Sequence, residues 1–275
     1  MELGVFSYSY HLAFGKHEVF KPENPMDIFD FMDLMCNLNV DGVQIDIMHL
    51  ESRDSDYLSK VGLYAKNKGL FIEYGSTGIE ENHTLNELYV AHKLGAKLMR
   101  TFMGFNRYDG SSDAQYEVDK AINVIKDIIP TANELGIKIA IENHCDATVD
   151  EMVEIMQAIN SETVGVCVDL GNFMIHQEKP IDSVRKLAPY IINTHFKDYT
   201  MEMMNWGFKS YGVPLGQGII DLKGILEILK RSSNLNRIVL EIPVEKDINE
   251  DATLKKERAY VEESVRYARE TLEIF

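Results

Sequence analysis

Leu135-Gly136-Ile137-Lys138-Ile139-Ala140-Ile141-Glu142-Asn143-His144 sets how the rest of the chain is read. Gly136 closes a helical stretch by supplying the left-handed residue that a helix stop needs. The run after it is apolar on nearly every residue, which suits a parallel strand covered by helices. It ends on a carboxylate and passes into polar residues. Val164-Gly165-Val166-Cys167-Val168-Asp169 repeats the pattern. Working outward, β-rich runs recur at Leu3–Ser7, Gly42–Ile47, Leu70–Tyr74, Lys97–Phe102, Ile137–Glu142, Val164–Asp169, Ile191–Lys197 and Arg237–Ile242. Segments with helical spacing lie between or after them, among them Met26–Asn39, Glu117–Leu135 and Ala252–Phe275. Pro130 is a candidate kink in the second of these.

Strand–helix alternation requires right-handed crossovers, and eight such units close most simply into a (β/α)8 TIM barrel, an α/β fold, as a single domain over residues 1–275. A doubly wound open sheet is the alternative. It would announce a nucleotide with a glycine-rich first turn, and Ser7-Tyr8-Ser9-Tyr10-His11 carries none.

The 275 residues are 45% hydrophobic, with 28 basic against 44 acidic side chains and a formal charge of −16. Such a surface repels phosphate backbones, so nucleic acid is not an expected partner. No stretch approaches the roughly 20 apolar residues of a bilayer span, and the N-terminus lacks a basic segment followed by an apolar run. The expected setting is soluble and cytoplasmic, with no membrane partner. Cys36, Cys145 and Cys167 are an odd number without CxxC spacing. That argues against a disulfide framework or a thiolate metal cage and leaves burial as their expected fate.

In a TIM barrel the chemistry sits where strands end. Glu142, Asp169, His195 and Glu241 stand at four of the last five strand ends, each after an apolar stretch. One alone could be a helix cap or an ion-pair partner; four at equivalent places read as ligands of one divalent metal ion. Three carboxylates and an imidazole suit Mn²⁺, with Co²⁺ or Mg²⁺ as alternatives, better than a structural zinc cage. His144 is a candidate acid/base because an unperturbed imidazole titrates near pH 6.5, or else an exposed loop histidine. Lys197 and Asp198 could orient His195, bind a substrate oxygen or simply pair as ions. Arg100 could bind an anionic or hydroxyl-rich substrate or neutralise the acids. Trp206, Phe208 and Tyr211, in the long segment Tyr199–Gly218, suit a sugar ring or pack that segment onto the barrel. His11 and His17 follow the first strand and could reach the pocket.

The segments Ile141-Glu142-Asn143-His144, Val168-Asp169-Leu170-Gly171-Asn172-Phe173, Thr194-His195-Phe196-Lys197-Asp198 and Pro214-Leu215-Gly216-Gln217-Gly218-Ile219-Ile220-Asp221 occur in this order. Together they resemble the sugar phosphate isomerase/epimerase group of xylose isomerase-like TIM barrels, over nearly the whole chain. That group includes ketose 3-epimerases, inosose dehydratases and the α subunits of C-glycoside deglycosidases. The resemblance places the metal ligands on Glu142, Asp169, His195 and Glu241. It implies proton abstraction next to the carbonyl of a sugar or keto-sugar, with Glu142 and Glu241 exchanging protons and His144 assisting. Arg100, Asn172, Lys197 and Trp206 are then the candidates for substrate binding.

Two departures matter. Asn172 stands where the ketose 3-epimerases carry a histidine, and Gln44 is an amide where they tend to have an acid in the second strand. The His-Phe-Lys-Asp segment is more similar to the dehydratase branch. An isomerase or epimerase is the favoured reading. The alternative is a lyase on a keto-sugar, either an inosose-type dehydratase or a C-glycoside deglycosidase catalytic subunit that needs a companion chain. Homo-oligomers are common in the group. An endonuclease IV-like enzyme is opposed by the negative charge and by a total of only eight histidines.

Overall fold

Strands and helices alternate along the chain: β1 Glu2–Phe6, α1 His11–Phe14, α2 Ile28–Asn37, β2 Gly42–Asp46, α3 Ser55–Lys68, β3 Phe71–Gly75, α4 Glu81–Leu94, β4 Leu98–Thr101, α5 Ala114–Leu135, β5 Lys138–Glu142, α6 Val149–Ile159, β6 Val164–Asp169, α7 Pro180–Leu187, β7 Ile191–Phe196, β8 Asp198–Met204, β9 Gly207–Val213, α8 Leu222–Ser232, β10 Arg237–Leu240 and α9 Glu250–Glu270. The structure, a computed structural model, describes residues 1–16, 20–232 and 235–275, so His17 lies outside the described residues. Among those residues, eight parallel strands close into a barrel in the order β1-β10-β7-β6-β5-β4-β3-β2, with β2 pairing back onto β1. Every expected run coincides with a barrel strand to within two residues at either end.

Local chemistry sets the helix ends. Gly136, at φ 66°, takes the left-handed turn that stops α5, and α5 runs through Pro130 without a break. Thr148 and Glu151 form a reciprocal capping box that starts α6 directly after the β5 loop. The strands read as continuously apolar because both faces are covered: Ile139, Ala140 and Ile141 of β5 are fully buried. Cys167 is also buried, whereas Cys36 and Cys145 are only half-buried, which corrects the expectation for those two; all three are free thiols. Among the described residues no helix is long and apolar enough to cross a membrane.

The segment after β7 is not an irregular loop. It forms an antiparallel hairpin, β8 with β9, running from Asp198↔Val213 to Met204↔Gly207. Strand alternation through Tyr199–Met203 and a turn at Asn205–Trp206 carry that signal in the sequence. Asp198 fastens the base of the hairpin. Its carboxylate accepts the backbone N–H groups of Tyr199, Gly216, Gly218 and Ile220 at 2.9–3.2 Å. It therefore orders the Pro-Leu-Gly-Gln-Gly segment rather than orienting His195. Replacing Asp198 by Ala strands several buried donors at once and should cost about 2–4 kcal/mol in urea unfolding; an unchanged midpoint would contradict this role.

Candidate metal centre

Four neighbouring strands each deliver one side chain to the C-terminal rim. β5 ends on Glu142, β6 ends on Asp169, β7 carries His195, and Glu241 directly follows β10. Adjacent strand ends bring them together. Asp169 pairs with His195 across β6 and β7, and the Glu241 amide donates to the Phe196 carbonyl at 3.0 Å. All four side chains are buried, and one ligand atom from each lies within 4.8 Å of the others. His195 Nδ1 is 2.7 Å from Glu241 Oε2, 3.5 Å from Glu142 Oε2 and 3.7 Å from Asp169 Oδ2.

Each carboxylate has one oxygen engaged and one facing this centre. Glu142 Oε1 accepts from Asn172 Nδ2 at 3.0 Å, and Asp169 Oδ1 accepts the backbone N–H of Gly171 and of Asn172, both at 3.0 Å. Glu241 Oε1 faces Lys197 Nζ at 3.2 Å. The remaining atoms, Glu142 Oε2, Asp169 Oδ2, Glu241 Oε2 and His195 Nδ1, are buried and make no hydrogen bond. Arg100 Nε and Lys197 Nζ approach the first two at 2.8 and 2.5 Å as ions, at angles short of a hydrogen bond. The four atoms converge as a donor set suited to a divalent cation, three hard oxygens and one imidazole nitrogen. Cys167 also comes within reach of Glu142 and His195. Burial and the Glu142 charge raise its thiol well above its ordinary value, so without a metal it stays neutral.

The charges around the centre decide which forms persist. Burial works against an ionised Glu142, but Arg100 and His195 hold it below the usual carboxylate range. Burial likewise opposes ionisation of Glu241, and Lys197 and His195 together hold it well below that range. Burial lowers His195, yet Glu142 and Glu241 push it up to about 9.

The other expected residues separate into two groups. Arg100 lies between the Phe6 and Phe102 rings, 4.7 and 5.5 Å from their centroids, and donates from Nη1 to the Ser76 carbonyl. Asn172 and Lys197 are occupied with the ligand carboxylates, and Lys197 packs with Tyr199 where a Cβ on Gly171 would lie 2.3 Å from the Tyr199 ring. His144 stacks on Phe102 at 4.2 Å, with Cys145 Sγ 3.1 Å from its Nδ1. Burial opposes its protonation, but Cys145 and Glu142 raise it to about 9. Trp206 is not gathered here. It sits in the hairpin turn, 99% exposed, because strand pairing runs up to the residues on either side of that turn. His11 lies against Tyr8 and 3.8 Å from Glu257 of α9. Two contributors were not anticipated. Asp46, two residues beyond Gln44 at the end of β2, puts a buried acid at the rim after all. Gln44 itself accepts from His195 Nε2 at 2.7 Å.

The sequence profile of the family described as xylose isomerase-like TIM barrel matches residues 82–271. The chain is 24% identical over 272 residues to 3-oxo-isoapionate decarboxylase of Pectobacterium atrosepticum, covering 97% of this chain and 94% of that one. D-psicose 3-epimerase from Clostridium cellulolyticum H10, solved with D-tagatose, matches with a TM-score of 0.77 at 14% identity, over 100% of this chain and 99% of that one. The IolI protein, solved with a zinc atom, gives 0.77 at 16% identity, over 100% and 99%. At these identities the two structural likenesses bear on the fold.

A cation taking Nδ1 as ligand must displace the proton that the neighbouring acids hold on His195 up to about pH 9. Mn²⁺ affinity measured by calorimetry should therefore rise by about tenfold per pH unit from 7 and level off near that value. Affinity that is flat over the range would show that Nδ1 is not a ligand.

Proposed function

Because the chain belongs to the xylose isomerase-like TIM barrel family, we propose that it is a divalent-metal-dependent carbohydrate enzyme acting next to the carbonyl of a sugar or keto-sugar, as an isomerase or epimerase. The convergence of four buried atoms of ligand type, three carboxylate oxygens and one imidazole nitrogen, carries this reading. Mn²⁺ is the favoured ion, on the oxygen-rich donor set. Zinc in the IolI protein supports a divalent site on this fold. When bound, the cation supplies Lewis-acid stabilisation of a developing oxyanion, worth several kcal/mol.

The protein's own groups do the rest. Arg100 and Lys197 keep Glu142 and Glu241 ionised, so the oxygen of each not given to the cation, Oε1, is the one to accept a proton from carbon and return it. His144, protonated at neutral pH, serves as a proton donor on the same rim. Asn172 fixes Glu142 through its amide. Arg100 and Lys197, both buried cations, also offer charge to a substrate oxygen.

A lyase reading has one specific observation in its favour. Two buried cations beside the acid cluster also suit a substrate carboxylate, and the relative from Pectobacterium is named a decarboxylase of a 3-oxo acid. There the C–C bond breaks, CO₂ leaves, the electron pair moves onto the carbonyl oxygen, and the carbon then takes a proton. A companion chain or second copy is supported by the bare hairpin tip, where Met203, Trp206 and Phe208 are 79, 99 and 72% exposed.

Incubating Mn²⁺-loaded protein in D₂O with ketoses, inososes, 3-keto-glycosides and keto-sugar acids separates the two. Deuterium exchanged into an epimer or isomer supports the first reading, and CO₂ or alkene release supports the second. Inertness toward all of them, alone and with a candidate companion, contradicts both. Glu241→Gln should weaken Mn²⁺ retention and abolish turnover. His144→Ala should keep the metal and slow turnover by about 10² to 10⁴; an unchanged rate would remove His144 from the chemistry.

A further inference from the structure

Below the ligand layer, the barrel interior holds a polar chain rather than packed aliphatics. Gln44 of β2, Glu73 of β3 and Asn193 of β7 are all buried to within 2% exposure. Glu73 Oε2 accepts from Gln44 Nε2 at 3.1 Å and from Asn193 Nδ2 at 2.7 Å. Gln44 Nε2 also donates to Asn193 Oδ1 at 3.2 Å. A carboxylate oxygen accepting two amide donors leaves no freedom in how those amides point. Gln44 must turn its nitrogen toward Glu73 and its oxygen toward His195, and Oε1 lies 2.7 Å from Nε2 of that ring. Arg237 closes the far end, with Nη1 3.5 Å from Glu73 Oε1. Phe6 stacks on the imidazole at 4.8 Å and 17°, which fixes its plane.

We propose that Gln44, oriented by Glu73 and Asn193, is a positioning residue that sets the tautomer of His195, keeping hydrogen on Nε2 and presenting Nδ1 bare to the metal centre. An amide oxygen can only accept, so the Nε2 proton is the one retained and the Nδ1 position is the one yielded. A histidine ligand's outer nitrogen commonly has such a partner, and loss of that partner costs about 10–100-fold in affinity or activity. Gln44 is thus the occupant this geometry requires, while the acid of β2 stands at Asp46 on the rim. The inference rests on the metal reading above.

The test uses Co²⁺ binding by calorimetry on the whole protein, with unfolding curves to check that each variant folds. Wild type should bind one Co²⁺, and Gln44→Leu should bind about 10–100-fold more weakly. In the Zn²⁺-loaded wild type, proton–nitrogen spectra of labelled histidine should show a slowly exchanging Nε2 proton on His195, lost in Gln44→Leu. Equal Co²⁺ affinity, or an Nε2 proton that persists in the variant, overturns the proposal while leaving the metal site standing. Should Gln44→Leu not fold, Glu73→Met, which removes the acceptor oxygen that aims the amide, is expected to show the same loss, and unaltered affinity there overturns it. Wild type that binds no Co²⁺ overturns the metal reading itself.

Discussion

Three carboxylates turned toward one point inside a protein repel one another, and everything at this rim answers that constraint. Two unit charges 4 Å apart at an effective dielectric of 20 interact by about 4 kcal/mol, so a bare cluster would protonate or splay. Arg100 and Lys197 prevent this from opposite sides, one on Glu142 and the other between Asp169 and Glu241. They leave one negative charge uncancelled among the five groups. His195, pushed up to about 9, holds a proton against it when no cation is present. On the proposed reading, a divalent cation in place of that proton would turn a neutral site positive, which is what an oxyanion forming on a substrate requires.

The barrel delivers this arrangement by ending its strands side by side. Adjacent strands β5, β6, β7 and β10 each contribute one residue at the C-terminal rim, and the chain beyond each is fixed by its own local contacts. The Asp169 loop is closed by its own backbone N–H groups, the β5 loop leads into a capped helix, and Asp198 ties down the segment after β7. The four clustered side chains thus stand at the ends of barrel strands, while Trp206 and its neighbours extend outward on the hairpin.

Much of this was legible in the sequence. The eight strands could be read because parallel strands covered on both faces are apolar throughout, and the four clustered side chains because a charged residue ending such a run needs a reason to be there. The polar chain beneath the site was legible in principle by the same logic, since Gln44, Glu73 and Asn193 each interrupt an apolar strand. Reading Gln44 as a missing acid overlooked that a strand residue two positions on, Asp46, reaches the rim instead. The hairpin was hidden by its composition: aromatic and methionine residues in a long connection suggest ligand contact as readily as strand pairing. The raised values of His144 and His195 could not be read from the sequence, because they depend on which carboxylates the fold brings beside each ring.

The proposed chemistry depends on one cation held by four named atoms. Crystals of the protein grown with Mn²⁺ and measured for anomalous scattering give the most direct test. A single strong peak bonded to Glu142 Oε2, Asp169 Oδ2, His195 Nδ1 and Glu241 Oε2 is the result predicted. Its absence at full Mn²⁺ concentration, or a peak bonded elsewhere with His195 still facing Glu241 as a plain ion pair, would contradict it.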